Sequence, residues 1–95
     1  MKLLFYYQHG NNECYRQEME LYNNTPFCDI IFKNCDDDYI LWEAEQKGIT
    51  TVPVCILYSD VNCINEITRW NDFVTTETIN KTIKDYETKH LVQVL

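Results

Sequence analysis

Apolar residues along the chain fall into short runs separated by polar turns, a pattern typical of alternating strands and helices. The run 2–8 is apolar on both faces and predicts a central strand covered by helices. Asn11 or Asn12 follows as a candidate helix N-cap. The segment 13–22 then predicts a helix, because large apolar side chains recur at positions i, i+4 and i+7 to form one stripe: Tyr15, Met19 and Tyr22.

The middle of the chain predicts a second strand and a short helix. Residues 27–35 contain consecutive apolar side chains and predict a buried strand. The acidic run 36–38 that follows is best explained as a helix N-cap with favourable charges at the positive end of the helix dipole, and not as a metal site. The helix is expected to reach about Lys47, with Gly48 at its C′ position.

The last third of the chain predicts a hairpin and a final helix. Strands over 54–58 and 63–67 are joined by a polar turn. Thr75 or Thr76 is expected to cap the last helix, and its buried stripe is Ile79, Ile83 and Tyr86. The apolar tail 91–95 could prolong this helix, dock on the body or mediate self-association.

The element order is therefore β-α-β-α-β-β-α, which places the chain in the α/β class. A strand–helix–strand unit requires parallel strands with a right-handed crossover, and the hairpin adds two antiparallel strands. We expect one four-stranded mixed sheet with helices on both faces. Residues 1–90 form the single predicted domain, followed by the tail 91–95.

The charge and composition of the chain limit the classes of partner that it can bind. The chain carries 15 acidic and 8 basic residues, a net charge of −7, which disfavours nucleic acid and anionic membranes as partners. No apolar run approaches the ~20 residues of a membrane-spanning helix. The N-terminal residues do not resemble a signal peptide, so we expect a cytoplasmic protein.

The cysteines do not form a recognisable metal or disulfide pattern. There are five, at positions 14, 28, 35, 55 and 63, and no two have Cys-x-x-Cys spacing. His9 and His90 are far apart and supply no paired ligand motif, so no metal is expected. Most of these thiols are expected to be small buried apolar side chains.

Two stretches carry a resemblance to a known family. A strand that ends in the acidic turn of 32–37 is followed by a helix and then by Gly48-Ile49-Thr50-Thr51-Val52-Pro53-Val54. This pattern resembles the thioredoxin-like superfamily over about residues 2–88, with the small size of its glutaredoxin-like members. The resemblance implies that Pro53 is a cis-proline. It also implies that Val52, with Thr51 beside it, presents backbone groups to an extended substrate.

The resemblance also exposes a departure at the redox site. Counted without gaps, the family's Cys-x-x-Cys falls on Asn11-Asn12-Glu13-Cys14. Asn11 thus takes the position of the nucleophilic cysteine. Of the two thiols of the redox site, only the resolving one is present, at Cys14. In the same register, the buried acid and lysine of full thioredoxins are replaced by Phe5 and Phe32.

A shifted register stays open at this point. If the loop were three residues longer, Cys14 would be the nucleophile and Gln17 would take the resolving position, with His9 near enough to activate the thiol. A disulfide between Cys14 and either Cys35 or Cys55 is also conceivable, because all three are expected at the same end of the sheet.

Two functions follow from this reading. One is a thiol-redox protein limited to monothiol disulfide exchange through Cys14, with glutathione as a possible co-substrate. Arg16 and Lys47 are the cations best placed for the glutathione carboxylates. The other is a redox-inactive module that binds a protein or peptide in the groove beside Pro53. Three aromatic residues are candidates for apolar contacts there, although core or edge packing is the expected role of each: Tyr7, Trp42 and Trp70. We expect the Cys14 thiol to react slowly, because the negative charge of the adjacent Glu13 disfavours the thiolate. Cys14 also occupies the more buried of the two positions of the redox site, where desolvation disfavours the thiolate again.

Overall fold

The computed structural model describes the backbone of residues 1–94 and the side chains of residues 1–90. Four strands and three helices follow one another in the predicted order. They are β1 (Lys2–Tyr7), α1 (Asn12–Asn23), β2 (Asp29–Asn34), α2 (Asp38–Gln46), β3 (Val54–Tyr58), β4 (Glu66–Trp70) and α3 (Thr76–Val94).

The strands form the predicted four-stranded mixed sheet, in the spatial order β2-β1-β3-β4. β1 is parallel to β2 and antiparallel to β3, and β4 is antiparallel to β3. Alternate residues of β1 enter two separate core clusters, because neighbouring side chains of a strand point to opposite faces. Leu3 and Phe5 pack on one face with Ile79 of α3, and Leu4 and Tyr6 pack on the other with Ala44 of α2.

The second strand is shorter and less buried than its sequence predicts. It begins at Asp29 and not at residue 27, and the Phe32 side chain keeps 39% of its surface exposed. The prediction of a buried strand was wrong because β2 lies at the edge of the sheet and has β1 as its neighbour on one side.

The fourth strand also differs from the prediction, since it starts at Glu66 and not at Cys63. The Asp60 carboxylate accepts hydrogen bonds from the backbone N–H groups of Ile64 and Asn65, at 3.1 and 2.8 Å. Cys63 adopts φ 55°, which is incompatible with a strand. These interactions hold the chain in a longer loop before it can pair with β3.

The stripe predicted on α1 does not face the core. Tyr15 and Tyr22 are exposed, whereas the buried side chains of this helix are Cys14, Gln17 and Leu21. The buried face is rotated from the predicted one because Gln17, although polar, satisfies its amide inside the protein. The apolar periodicity therefore marks a helix correctly but points to the wrong face.

The caps of the other helices agree with the sequence. Asp37 caps α2, and its carboxylate accepts from the backbone N–H groups of Tyr39 and Ile40 at 2.9 and 3.2 Å. Gly48 follows with φ 75°, the left-handed conformation expected at C′. The Thr75 hydroxyl accepts the N–H of Thr78 at the start of α3, where it acts as the predicted cap.

Helix α3 buries Ile79 and Ile83, while Tyr86 is half-buried. Its backbone continues through Val94, so 91–94 of the predicted tail is helical, and Leu95 lies outside the described residues. None of the helices in the described part of the chain is long and apolar enough to cross a membrane.

Candidate functional site

A groove of about 420 Å³ opens where β1 and β2 end and β3 begins. Ligands of open α/β sheets bind beyond the carboxyl ends of the strands, which is where this groove lies. Its walls are the β1–α1 loop, one face of α2 and the loop before β3. They are built from Gln8, Asn11, Cys35, Leu41, Ala44, Ile49, Thr50, Thr51 and Val52.

Asn11 forms one wall of the groove and is the N-cap of α1. Its backbone is extended, at φ −95° and ψ 119°, and its side-chain oxygen accepts the backbone N–H of Cys14 at 3.0 Å. An N-cap asparagine accepts a hydrogen bond from one of the free N–H groups at the start of a helix, so Asn11 stabilises the start of α1. The position expected to hold a nucleophilic thiol therefore holds a carboxamide that is already hydrogen-bonded.

Cys14 is the third residue of α1 and keeps only 2% of its surface exposed. Burial raises the pKa of its thiol, the carboxylate of Glu13 raises it further, and a hydrogen bond with the Gln8 backbone lowers it in part. Cys14 contacts a separate small cavity of about 100 Å³ beside His9 and not the main groove. Burial thus disfavours the thiolate and leaves the sulfur poorly accessible.

The loop before β3 supplies the opposite wall. The Val52–Pro53 peptide bond is cis. Thr51 and Val52 line the groove, whereas Pro53 is buried behind them. No loop hydrogen bond within residues 1–94 engages the backbone of Thr51 or Val52, so their N–H and C=O groups are available to a partner.

Cys35 belongs to the buried core, as expected of most of the thiols, and it also lines the groove. It is buried at 6% exposure, yet it lines the floor of the groove, and its N–H donates to the Tyr7 carbonyl at 2.8 Å. Burial is the main cause that raises the pKa of its thiol. Its position directly after a parallel strand was the available signal, since such positions converge on one sheet end.

The described cysteines are all unpaired, so the conceivable disulfides from Cys14 to Cys35 or Cys55 are not formed. No group of three or more potential metal-ligating side chains occurs in the part of the chain that the structure describes. The acidic run 36–38 is thus accounted for by the cap of α2.

The aromatic and cationic residues considered as possible groove contacts lie outside the groove. None of the aromatic residues Tyr7, Trp42 and Trp70 lines it, and Trp70 packs against the core on the α1 and α3 face. Arg16 pairs with Glu13 at 3.3 Å, and its guanidinium lies 3.8 Å from the centre of the Phe73 ring. The two cations proposed for glutathione are therefore not groove residues.

Lys47 is the other of these cations, and its ammonium donates to the Tyr58 hydroxyl at 2.8 Å. Among described residues, the groove is lined by neutral side chains alone. The charged residues directly adjacent in sequence to groove residues are all acidic: Asp36, Glu43 and Glu45.

Gln17 does not occupy a redox position. Its side-chain nitrogen donates to the Val74 carbonyl at 3.0 Å, and its oxygen accepts the Val74 N–H at 2.8 Å. This fully buried pair ties α1 to the segment before α3. Sequence reasoning missed this role because a polar residue on a helix gives no local signal of a distant backbone partner.

His9 is exposed, and its backbone N–H donates to the Asp36 carboxylate at 3.2 Å. Helix α1 starts at Asn12, so the loop before it is not lengthened as the shifted register requires. Phe5 is fully buried opposite Phe32 of β2 and contacts it edge-on at 5.7 Å. These two positions bring no proton-transferring group beneath the groove.

Comparison with known proteins shows similarity in structure only. No protein-family profile matches the chain. No curated protein sequence matches it significantly. Thioredoxin 1 from the thermophilic eubacterium Thermosipho africanus superimposes with a TM-score of 0.70 and 20% identity, over 95% of this chain and 98% of that one.

Thioredoxin-2 of the malaria parasite, a component of the parasite's protein secretion machinery, gives a TM-score of 0.71. It is 17% identical, over 88% of this chain and 81% of its own. A further solved structure of a malarial protein matches at a TM-score of 0.70 and 17% identity, over 88% of this chain and 93% of that one. At these identities the likeness establishes the fold, which is thioredoxin-like as the sequence predicted.

Proposed function

We propose that this chain of thioredoxin-like fold is a redox-inactive binding module that holds an extended peptide in the groove between Asn11 and Val52. The observation that carries the proposal is the Asn11 cap. Its carboxamide oxygen is committed to the Cys14 N–H at 3.0 Å, at the place where the family needs a thiolate. A carboxamide forms no mixed disulfide, so the first step of disulfide exchange is not available at Asn11. The groove itself is still present.

The state of Cys14 favours binding over chemistry. The thiolate is the reactive form of cysteine, and burial raises the pKa of this thiol. Its side chain faces a small cavity and not the groove, so a bound peptide would not reach the sulfur. Monothiol exchange through Cys14 is therefore the less well supported of the two functions.

The groove offers backbone groups to an extended partner. Thr51 and Val52 present N–H and C=O groups that the loop leaves unused, and these suit strand-like addition of a peptide. The lining side chains are neutral, and Leu41 and Ile49 provide apolar contact. With acidic residues on the neighbouring loops and a net charge of −7, the groove favours neutral or basic peptides over glutathione, which carries two carboxylates.

The binding test selects ligands from a displayed library of random linear peptides and follows the selected peptide by amide chemical shifts. We expect the amides of Thr51, Val52 and Val54 to move on titration. Thr51→Arg places a bulky side chain in the groove and should reduce affinity by about tenfold or more. Thr25→Arg makes the same exchange in the exposed loop after α1 and should leave affinity unchanged. Selection of no binder, or shifts confined to another surface, would contradict the proposal.

The redox test compares the native chain with Asn11→Cys. The native chain should not reduce insulin disulfides, whereas Asn11→Cys supplies a thiol three residues before Cys14 and should form an internal disulfide on oxidation. Native turnover that disappears in Cys14→Ser would overturn the redox-inactive reading and favour monothiol exchange instead.

A further inference from the structure

The outer edge of β2 is an open strand edge. Within residues 1–94, β2 pairs with β1 alone, and the register between them is continuous. The N–H of Cys35, directly after β2, points toward β1 and bonds the Tyr7 carbonyl. Because backbone groups alternate in direction along a strand, the N–H and C=O groups of Ile30 and Phe32 point away from β1, toward the open edge.

The β2 edge contains neither a proline nor a β-bulge that would prevent strand pairing. Natural edge strands are protected by proline, by bulges or by charged side chains, especially Lys. Here the centre of β2 is Ile30-Ile31-Phe32, with charged residues only outside it. The Phe32 ring is partly exposed and stacks on the exposed ring of Tyr22 at 5.9 Å, so an aromatic surface borders the open edge.

The charges that flank Ile31 are self-complementary. Asp29 lies two residues before Ile31, and Lys33 lies two residues after it, all on the α2 face of the sheet. If a second copy pairs antiparallel with Ile31 on the two-fold axis, Asp29 of each copy faces Lys33 of the other. In the same register Ile30 faces Phe32, and both have outward backbone groups, as a hydrogen-bonded antiparallel pair requires.

We propose that the chain forms a symmetric dimer through antiparallel β2–β2 pairing centred on Ile31. The pairing joins two four-stranded sheets into one and uses the same patch on both copies, as a two-fold interface must. Shifting the register by two residues opposes Asp29 or Lys33 with uncharged partners, so the charges select the Ile31-centred arrangement.

The acidic excess of the chain does not cause electrostatic repulsion at the β2–β2 contact itself. Lys2 pairs with Asp29 and Lys33 pairs with Glu43, each at 3.3 Å, so the edge itself carries two positive and two negative charges. The net charge of −7 therefore resides on other surfaces. At physiological ionic strength charges separated by more than about 8 Å are largely screened, which limits repulsion between the two bodies.

The test uses two charge reversals and their mixture in sedimentation equilibrium. Asp29→Lys puts two positive charges opposite each other across the interface, and Lys33→Asp puts two negative charges there. We expect each variant alone to dimerise about tenfold more weakly than the native chain. An equimolar mixture restores opposite charges at both positions and should recover the native affinity as a heterodimer.

The mixture separates this proposal from a loss of fold. Each reversal also removes an ion pair within its own chain, with Lys2 or with Glu43, and mixing cannot restore that pair. Hydrogen exchange provides a second readout, since protection of the Ile30 and Phe32 amides should rise with protein concentration. A native chain that stays monomeric at about millimolar concentration, or variants whose mixture does not recover affinity, would overturn the proposal.

Discussion

The two faces of helix α1 differ in a way that hydrophobicity alone does not anticipate. Its inward face carries Cys14, Gln17 and Leu21, and its outward face carries larger apolar and aromatic side chains, Tyr15, Met19 and Tyr22. The face with more apolar surface is thus the one in contact with solvent. The orientation of the helix is set by what each side chain meets on the sheet and on α3.

Specific partners explain the inward face. Leu21 enters the core cluster of Leu3, Ile79 and Ile83, while Gln17 binds both backbone groups of Val74. The outward face has a partner on the edge strand, where Tyr22 stacks on Phe32. The comparison predicts that truncations of the inward face affect folding, and that truncation of Tyr22 on the outward face affects association.

The largest effect is expected from Leu21→Ala. This change removes a side chain with 2% exposure from a packed cluster, which typically lowers the free energy of unfolding by about 2–5 kcal/mol. Urea denaturation followed by circular dichroism measures the loss. The matched change on the outward face, Tyr15→Ala, should stay within about 0.5 kcal/mol. Equal losses in the two variants would show that the faces do not differ in this way.

The next effect concerns the buried amide of Gln17. Gln17→Met keeps the length of the side chain but leaves the N–H and C=O of Val74 without partners, which should lower the free energy of unfolding by about 1–3 kcal/mol. Gln46→Met is the same exchange at an exposed position of α2 and should have little effect. If both variants are as stable as the native chain, the hydrogen bonds of Gln17 contribute nothing to folding.

A smaller effect is expected in alkaline solution. Burial raises the pKa of the Cys14 thiol above its value in the unfolded chain, which is about 9. The folded state then binds more protons than the unfolded state above that pH, so stability is complete below about pH 9 and falls as pH rises. The contribution of one thiol is at most about 1.4 kcal/mol per pH unit.

Unfolding free energies measured across this range for the native chain and Cys14→Ala isolate that contribution. The variant should lose stability less steeply with rising pH, even though its absolute stability is lower. The Cys55 thiol adds a loss of stability over a wider alkaline range in both proteins, because burial raises its pKa to about 12. Identical slopes in the two proteins would indicate that the Cys14 thiol ionises as easily as in the unfolded chain.

The smallest change in stability is expected for Tyr22→Ala, at about 0.5 kcal/mol, because the residue is exposed and loses only its contact with Phe32. The same variant removes apolar surface next to the β2 edge, so its self-association should weaken by a few-fold. Sedimentation equilibrium measures this, and Tyr15→Ala serves as the control on the same face. A loss of stability as large as that of Leu21→Ala would place Tyr22 in the core.

The sequence was sufficient for the order of the elements and most of their boundaries. Strand β3 and the caps of α2 and α3 were predicted correctly, because apolar runs, Asp37, Gly48 and Thr75 act through neighbouring backbone groups. The β4 boundary was missed because the Asp60 carboxylate holds a loop through residues four and five positions away. Local patterns are reliable where the interaction is itself local.

The candidate site divides in the same way. The sequence alone identified Asn11 as a capping residue, Cys14 as an unfavourable thiol and Thr51 and Val52 as groove residues. Only the tertiary structure placed Cys35 on the groove floor, removed Arg16 and Lys47 from it, and turned Gln17 toward Val74. Burial and long-range hydrogen bonds depend on segments up to 57 residues apart in sequence meeting in space, and no periodicity within one helix or strand encodes which partner it will meet.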